Sequence, residues 1–410
     1  MNLVVDVAVI GGGAAGMAAA MAAAKTGAKT LLIEREKRLG GVLDQCIHPG
    51  FGLHRYQAEL TGPEFAHRLL HELETSGAEI ITGATVVSIS GERIIQVASS
   101  RAFLKVKAKA VVWAAGARER PFGTLLIPGT RPAGIFTAGL AQKLINIYGL
   151  LPGKRALILG SGDIGLIMAR RLFLEGMEVV AVVEIKPFPG GLLRNVVQCV
   201  EDFGIPLLLQ HTVAQVHGEK RLKGVTLVEV DEAGRPLPGT EKFVEVDTLI
   251  LSVGLIPEVR LLEGLLPSEQ IQRGLLVNSY FQTDVPWLFA AGNSLVVFDL
   301  VDTVAGIGEE AGHHAALFAK DMLPEPRVVF VRPGQNVTTV VPQKLVLGSP
   351  TTLRFRVIRP FSKARVRVSE VYEKRHVGLR PAEMVEVKLS SADTARLDPT
   401  AEVVVEVTPL

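Results

Sequence analysis

The sequence predicts an α/β protein: two Rossmann-like dinucleotide-binding folds followed by a small β-rich C-terminal domain. Three observations predict it. Runs of the form Gly-x-Gly-x-x-Gly open at Gly11 and again at Gly160, each between an apolar strand and a helix. Each helix is followed by a second strand that leads to a glutamate. Beyond residue 328 the apolar positions change to period two, with Pro, Gly and Ser between the runs.

A chain of 410 residues is long enough for two or three domains with substantial cores. Its 48% hydrophobic and 5% aromatic content, with 41 glycines, describes a soluble α/β protein rather than a disordered one. The net charge of +2 gives no sign of a nucleic-acid or anionic-membrane partner. The strand "LVVDVAVI" starts at Leu3, so no signal or transit peptide is expected. The Ala-rich run 14–24 is too short to span a bilayer. Cys46 and Cys199 are the only cysteines, which excludes a disulfide framework and a zinc or iron–sulfur ligand set. A cytoplasmic, reducing compartment is expected.

In the first fold, "GGGAAG" (Gly11 to Gly16) follows the strand and opens a helix, and "TLLIE" ends on Glu34. Gly11 permits the tight turn, Gly13 lets a pyrophosphate approach the backbone, and Gly16 lets helix and sheet pack closely. The N–H groups of Ala14 and Ala15, at the positive end of the helix, suit phosphates. Glu34, eighteen residues past Gly16, is placed to accept from ribose hydroxyls. One glycine run alone is a weak signal. Strand, helix and carboxylate together make it a dinucleotide site.

The pattern recurs in "RALILGSGDIG", which supplies Gly160, Gly162, Asp163, Ile164 and Gly165, and in "EVVAVVE", which ends on Glu184. A carboxylate there favours NAD over NADP, because it repels a 2′-phosphate. Lys186 nearby weakens that preference.

With three further motifs, these fingerprints resemble the two-dinucleotide-binding-domain flavoproteins, the FAD/NAD(P)-dependent pyridine nucleotide oxidoreductases that include glutathione and thioredoxin reductases. "AVVWAAGARERP" is similar to the segment that lays Ala115 and Gly116 against FAD. "TDVPWLFAAGN" resembles the second FAD motif, with Gly292 and Asn293 where Gly-Asp is usual. Asn and Asp both hydrogen-bond a ribityl hydroxyl, so FAD binding is expected to survive the change. "LILSVGLIPE" looks like the exit strand of the NAD domain, around Gly254. The resemblance covers residues 1–322. It implies an FAD site at Gly11, Gly13, Ala14, Ala15, Gly16, Glu34, Arg35, Gly41, Ala115, Gly116, Gly292 and Asn293. It implies an NAD site at Gly160, Gly162, Asp163, Ile164, Gly165, Glu184 and Gly254.

The runs "LDQCIHPGFGL", "ELTGPEFAHR", "GSGDIGLIMARRL" and "DFGIPLLLQHTV" look like the FAD/NAD oxidoreductases associated with anaerobic glycerol-3-phosphate dehydrogenase-type subunits. The FAD subunits of dye-linked proline and opine dehydrogenases are similar. This resemblance implies an oxidoreductase that exchanges hydride with NAD(H) and relays electrons to or from a partner dehydrogenase subunit or a small acceptor. A homo-oligomer is the other partner expectation.

The same resemblance implies a discontinuous FAD domain, 1–120 with 257–322, and an inserted NAD domain, 121–256, while the period-two pattern predicts a C-terminal β domain, 328–410. In "TGPEFAHRLLHELETSG", Thr61 is expected to cap a helix with Pro63 in its first turn. "VDTVAGIGEEAGHHAALFAKDML" resembles the family's late helix, whose N-terminus points at the flavin pyrimidine. His313 and His314 lie well inside it and read as structural. From Arg327 to Arg380 there are twelve Lys and Arg against Glu370 and Glu373. That excess is either a solvated strand face or a docking surface for an acidic partner. Without interleaved aromatics it is no nucleic-acid surface.

Disulfide reductases carry two cysteines four residues apart in the loop after the first fold's second strand. Here Cys46 stands alone in "GVLDQCIHPGFGLHRY". Three roles are open to it: a small buried hydrophobe beside the flavin, a sulfenate-forming thiol in an NADH oxidase or peroxidase, or a partner contact. His48 and His54 are either proton donors near the flavin or hydrogen-bonding loop residues. A further alternative is an electron-transfer subunit whose second fold holds a structural adenine nucleotide.

Overall fold

The computed structural model describes every residue except Met1, Arg101 and Gln272. Its helices are α1 (Ala14–Lys25), α2 (Gly62–Glu74), α3 (Ala138–Tyr148), α4 (Asp163–Leu174), α5 (Leu193–Cys199), α6 (Val301–Ala319) and α7 (Ser391–Ala395). The chain forms two compact units, residues 1–118 with 256–410, and residues 119–255.

The first unit is built on a sheet in the order Glu79–Ile81, Thr30–Ile33, Asn2–Ile10, Phe103–Trp113, Ile94–Ser99, Ala84–Ile89, with Leu288–Ala290 also paired to Phe103–Trp113. The strands flanking Asn2–Ile10 run parallel to it. Covered on both faces, its second half is an unbroken apolar run, Val7 to Ile10. α1 is almost wholly buried, and its alanines let α6 approach closely. A Cβ at Gly308 would overlap the Ala15 carbonyl, and one at Gly312 the Ala19 carbonyl. The two helices therefore run in the same direction, in register.

α2 begins with the expected cap. Thr61 and Glu64 form a reciprocal capping box, and Pro63 sits in the first turn. Phe65, Leu69 and Leu73 repeat every four residues and are fully buried, worth about 1.5–3 kcal/mol each. Replacing Thr61 by alanine is expected to cost about 1 kcal/mol, read as a lower denaturant midpoint at unchanged slope.

Residues 328–409 form two facing sheets. One has the order Lys344–Val346, Val328–Pro333, Val403–Pro409, Phe361–Val368, Tyr372–Leu379; the other is Val337–Val341, Thr351–Val357, Val385–Leu389. Phe355, Val366, Val387 and Val405 fill the space between. The edge strand Tyr372–Leu379 exposes Lys374 and Arg375, which discourages strand addition. Part of the basic excess of this region is answered by acids from outside the 327–380 window. Arg354 pairs with Glu386 at 2.9 Å, Arg332 with Glu402 at 2.8 Å and Arg367 with Glu406 at 3.6 Å.

The second unit has a parallel sheet, Ile135–Thr137, Thr248–Leu251, Arg155–Leu159, Glu178–Glu184, Leu207–Leu209. A three-stranded antiparallel sheet, His211–Gly218, Leu222–Glu229, Lys242–Val244, accompanies it. The segment "GLLRNVVQCVEDFG" does not form one continuous helix. α5 stops at Cys199, Val200 turns to φ −126°, and a separate short turn follows at Glu201–Phe203. Gly204, at φ +62°, ends the segment. Among the described residues, no helix is long and apolar enough to cross a membrane.

Candidate functional site: two dinucleotide cradles

The first glycine run divides its labour as steric reasoning requires. Gly11 has φ +103°, and a Cβ there would overlap the Ala114 carbonyl. A Cβ at Gly16 would overlap the Gly11 carbonyl, so that glycine joins helix to strand. Gly13 differs from both. It has an ordinary extended backbone, φ −77° and ψ −173°, and a Cβ there meets nothing within 4 Å. The protein does not need that space; a ligand can use it, against the N–H groups of Ala14 and Ala15.

Glu34 is buried directly beyond the second strand, which ends at Ile33. Its carboxylate accepts from Gly12 N at 2.5 Å and Glu36 N at 2.7 Å. A carboxylate has about four lone-pair sites, so room remains for a ribose hydroxyl. Arg35 projects outward with a 76% exposed side chain. The following loop folds back on the cradle: Gly40 N donates to Gly12 O at 2.9 Å, and Gly41 lies against Gly13.

Two distant segments converge on the same turn. Ala114 N donates to Ile10 O at 2.9 Å, and Ala291 N to Trp113 O at 3.0 Å. Ser294, fully buried, accepts from Gly116 N at 3.0 Å. Sequence reasoning passed over Ser294, although it directly follows Asn293. Asn293 Oδ1 accepts from Phe298 N at 3.1 Å, leaving its amide group as a donor. Ala115, Gly116, Gly292 and Asn293 are thus brought beside Gly11–Gly16.

The start of α6 belongs to this site. Gly308 of α6 abuts Ala15 of α1, yet α6 begins at Val301. At about 1.5 Å of rise per residue, its N-terminus extends roughly 9 Å past that of α1. It has no side-chain cap at Leu300. Asp302 in its first turn accepts from Gly52 N at 3.1 Å, His54 N at 3.1 Å and Arg55 N at 2.8 Å. That carboxylate pins the Cys46–Tyr56 loop to the helix and was not foreseen from the sequence.

Cys46 is buried, with its Sγ 3.3 Å from Val42 O. Burial pushes its thiol from 9.0 up to about 12. The folded thiol therefore keeps its proton where an unfolded one loses it. It takes nothing from stability below pH 9 and erodes stability as pH rises from 9 towards 12. His48 is half-buried, with Nδ1 3.0 Å from Pro49 O and its ring 5.0 Å from Phe51. His54 is exposed. His313 Nδ1 lies 2.9 Å from Thr26 Oγ1, and burial lowers His314 to about 4. Both sit far along α6 from its N-terminus.

The second cradle copies the first. Gly160 has φ +100° and would overlap Ser252 O; Gly165 packs against Gly160 O. At Gly162 the nearest atom to an added Cβ is Ser252 Oγ, at 3.4 Å. Glu184, buried, accepts from Ser161 N at 3.0 Å, Ser161 Oγ at 2.6 Å and Lys186 N at 3.1 Å. Asp163 Oδ1 accepts from Leu192 N at 2.8 Å and Asn195 Nδ2 at 2.7 Å. The Asp163 side chain thus ties down the 192–195 segment, and only its backbone faces the turn with Ile164. Gly254, φ +93°, has open space where a Cβ would stand.

Comparison with known proteins decides the family. The pyridine nucleotide-disulphide oxidoreductase family matches residues 5–308. The chain belongs to that family. Like its other members, this pyridine nucleotide-disulphide oxidoreductase is an oxidoreductase that uses FAD and a nicotinamide nucleotide. It is 25% identical over 296 residues to a thioredoxin reductase of Bacillus subtilis (strain 168), covering 71% of this chain and 86% of that one. It is 25% identical over 274 residues to one of the opine oxidase subunits of Agrobacterium tumefaciens (strain Ach5), covering 62% of this chain and 53% of the relative. The chain thus spans only about half of that relative's length. Among solved structures, T. acidophilum thioredoxin reductase shares the fold with TM-score 0.63 at 23% identity, over 78% of this chain and 99% of that one. L-proline dehydrogenase from P. horikoshii shares it at TM-score 0.54 and 19% identity, over 78% and 56%.

Proposed function

We propose that this chain exchanges hydride with NAD(H) through an FAD held in the first cradle and relays the electrons to or from a partner dehydrogenase subunit or small acceptor. The observation that carries this reading is the pairing of two complete cradles with two buried cysteines in different units. Cys46 and Cys199 lie in different units, both buried, and burial pushes both thiols up, to about 12 and about 11. Disulfide exchange needs a thiolate. Burial disfavours that form in both residues, which argues for another route for the electrons. Relatives whose names describe parts of larger oxidases, the opine oxidase subunit and the alpha subunit of sarcosine oxidase, support a partner as that route.

Bound FAD would supply hydride acceptance and one- or two-electron release. The residues of the chain bind and orient. Gly13 leaves room for the pyrophosphate, Ala14 and Ala15 offer it N–H groups, and Glu34 holds the ribose. Gly116 and Asn293 sit where the ribityl chain would pass. With FAD bound, the first turn of α6, which has no side-chain cap, would offer its positive end to negative charge on the flavin. In the second cradle Glu184 holds the nicotinamide nucleotide's adenosine ribose, with Gly162 against its pyrophosphate.

Steady-state oxidation of NADH by the isolated chain, with a dye, oxygen or peroxide as acceptor, tests the reading. Turnover with dye and little with oxygen or peroxide is expected. Cys46→Ser should keep dye reduction within a few-fold of wild type, because hydride transfer does not use sulfur. Strong peroxide turnover that vanishes in Cys46→Ser would instead make the chain a peroxidase.

A further inference from the structure

One arginine of the C-terminal β region reaches out of its own sheets into the segment that joins the second FAD motif to α6. Arg356 lies on the strand Thr351–Val357. Its Nη1 donates to the carbonyls of Pro381 and Ala382, each at 2.8 Å. Its Nη2 donates to Val297 O at 2.9 Å and pairs with the Asp299 carboxylate. The other Asp299 oxygen accepts from Met384 N at 2.6 Å. The pair is enclosed, with side-chain exposures of 19% for Arg356 and 9% for Asp299.

Val297 and Asp299 flank Phe298, whose N–H is the group that Asn293 Oδ1 accepts from. Two residues after Asp299, α6 begins. A single guanidinium therefore holds the chain on both sides of the Asn293 contact and immediately before the helix start.

We infer that Arg356 is a positioning residue for the flavin site: it fixes Phe298 against Asn293 and sets where the N-terminus of α6 lies. The inference rests on the first cradle being the FAD site. A helix end acts on a nearby charge only over its first turn, so a small displacement changes the field it exerts. A planar fork satisfying several carbonyls and a carboxylate is suited to fixing position, which a lysine reproduces only in part. Mere attachment of the C-terminal region does not need Arg356. That region is also joined to residues 277–284 through Gln343 to Val277 N at 3.0 Å, Ser279 Oγ to Thr351 Oγ1 at 2.7 Å, and the Lys344–Asp284 pair.

FAD affinity and the flavin reduction potential, measured in wild type, Arg356→Ala, Arg356→Lys and Lys344→Ala, separate positioning from attachment. In Arg356→Ala, FAD should bind about tenfold more weakly or worse, and the potential should fall, because negative charge on the flavin loses support. Arg356→Lys should recover part of both. Lys344→Ala, which breaks a contact of the same region away from the 297–299 segment, should leave both unchanged. If Arg356→Ala does not fold, Arg356→Lys and Asp299→Asn carry the comparison. Potentials and affinities equal to wild type, with only thermal stability reduced, would overturn the inference. Wild-type protein without FAD would overturn the reading of the first cradle, and this inference with it.

Discussion

Gly13→Val is expected to give a folded, colourless protein. The substitution is permitted locally: the backbone at Gly13 is extended, and an added Cβ meets no protein atom within 4 Å. Its methyl groups would stand where the pyrophosphate must lie, so FAD affinity should fall by about a hundredfold or more, roughly 3 kcal/mol. Gly16→Val, three residues on, makes the opposite error. Its side chain would be driven into the Gly11 carbonyl, and the expected result is insoluble or unfolded protein. Absorbance near the flavin bands, beside circular dichroism on both variants, checks the pair. Gly13→Val protein that stays yellow would remove FAD from the first cradle.

Glu184→Ala should weaken NADH and narrow its advantage over NADPH. Losing a hydrogen bond to a charged group costs about 1.5–3 kcal/mol, or roughly tenfold to a hundredfold in affinity. Because Glu184 also holds Ser161 and Lys186 N, the variant will loosen the turn for both nucleotides. The ratio of kcat/KM for NADH to that for NADPH cancels this shared loss. That ratio should exceed one in wild type and drop towards one in the variant. A wild type that already prefers NADPH would show that Lys186, not Glu184, governs the choice.

What could be read from the sequence was what local geometry dictates. Gly11, Gly13 and Gly16 have distinct steric duties within six residues, and Glu34 follows at a spacing set by one helix and one strand. The Thr61 cap is equally local. What escaped was long-range. Ser294 meets Gly116 across 178 positions, Asp302 meets the 52–55 backbone across about 250, and Arg356 meets Asp299 across 57. No periodicity links such residues; only the packed sheets bring them together. Part of the basic run at 327–380 finds its counter-charges in Glu386, Glu402 and Glu406, further along the chain than the run itself shows. The break at Val200 has no local marker either, because "NVVQCVEDFG" is apolar at helical spacing until Gly204 ends it.

Anaerobic mixing of the FAD-loaded chain with NADH, followed at the flavin absorbance, tests the central claim most directly. Hydride exchange between the two cradles predicts that one equivalent of NADH bleaches the flavin band, and that Cys46→Ser protein bleaches at a similar rate. A flavin spectrum left unchanged by NADH, while the nucleotide remains bound to the protein, would contradict it and leave the second cradle as a structural nucleotide site.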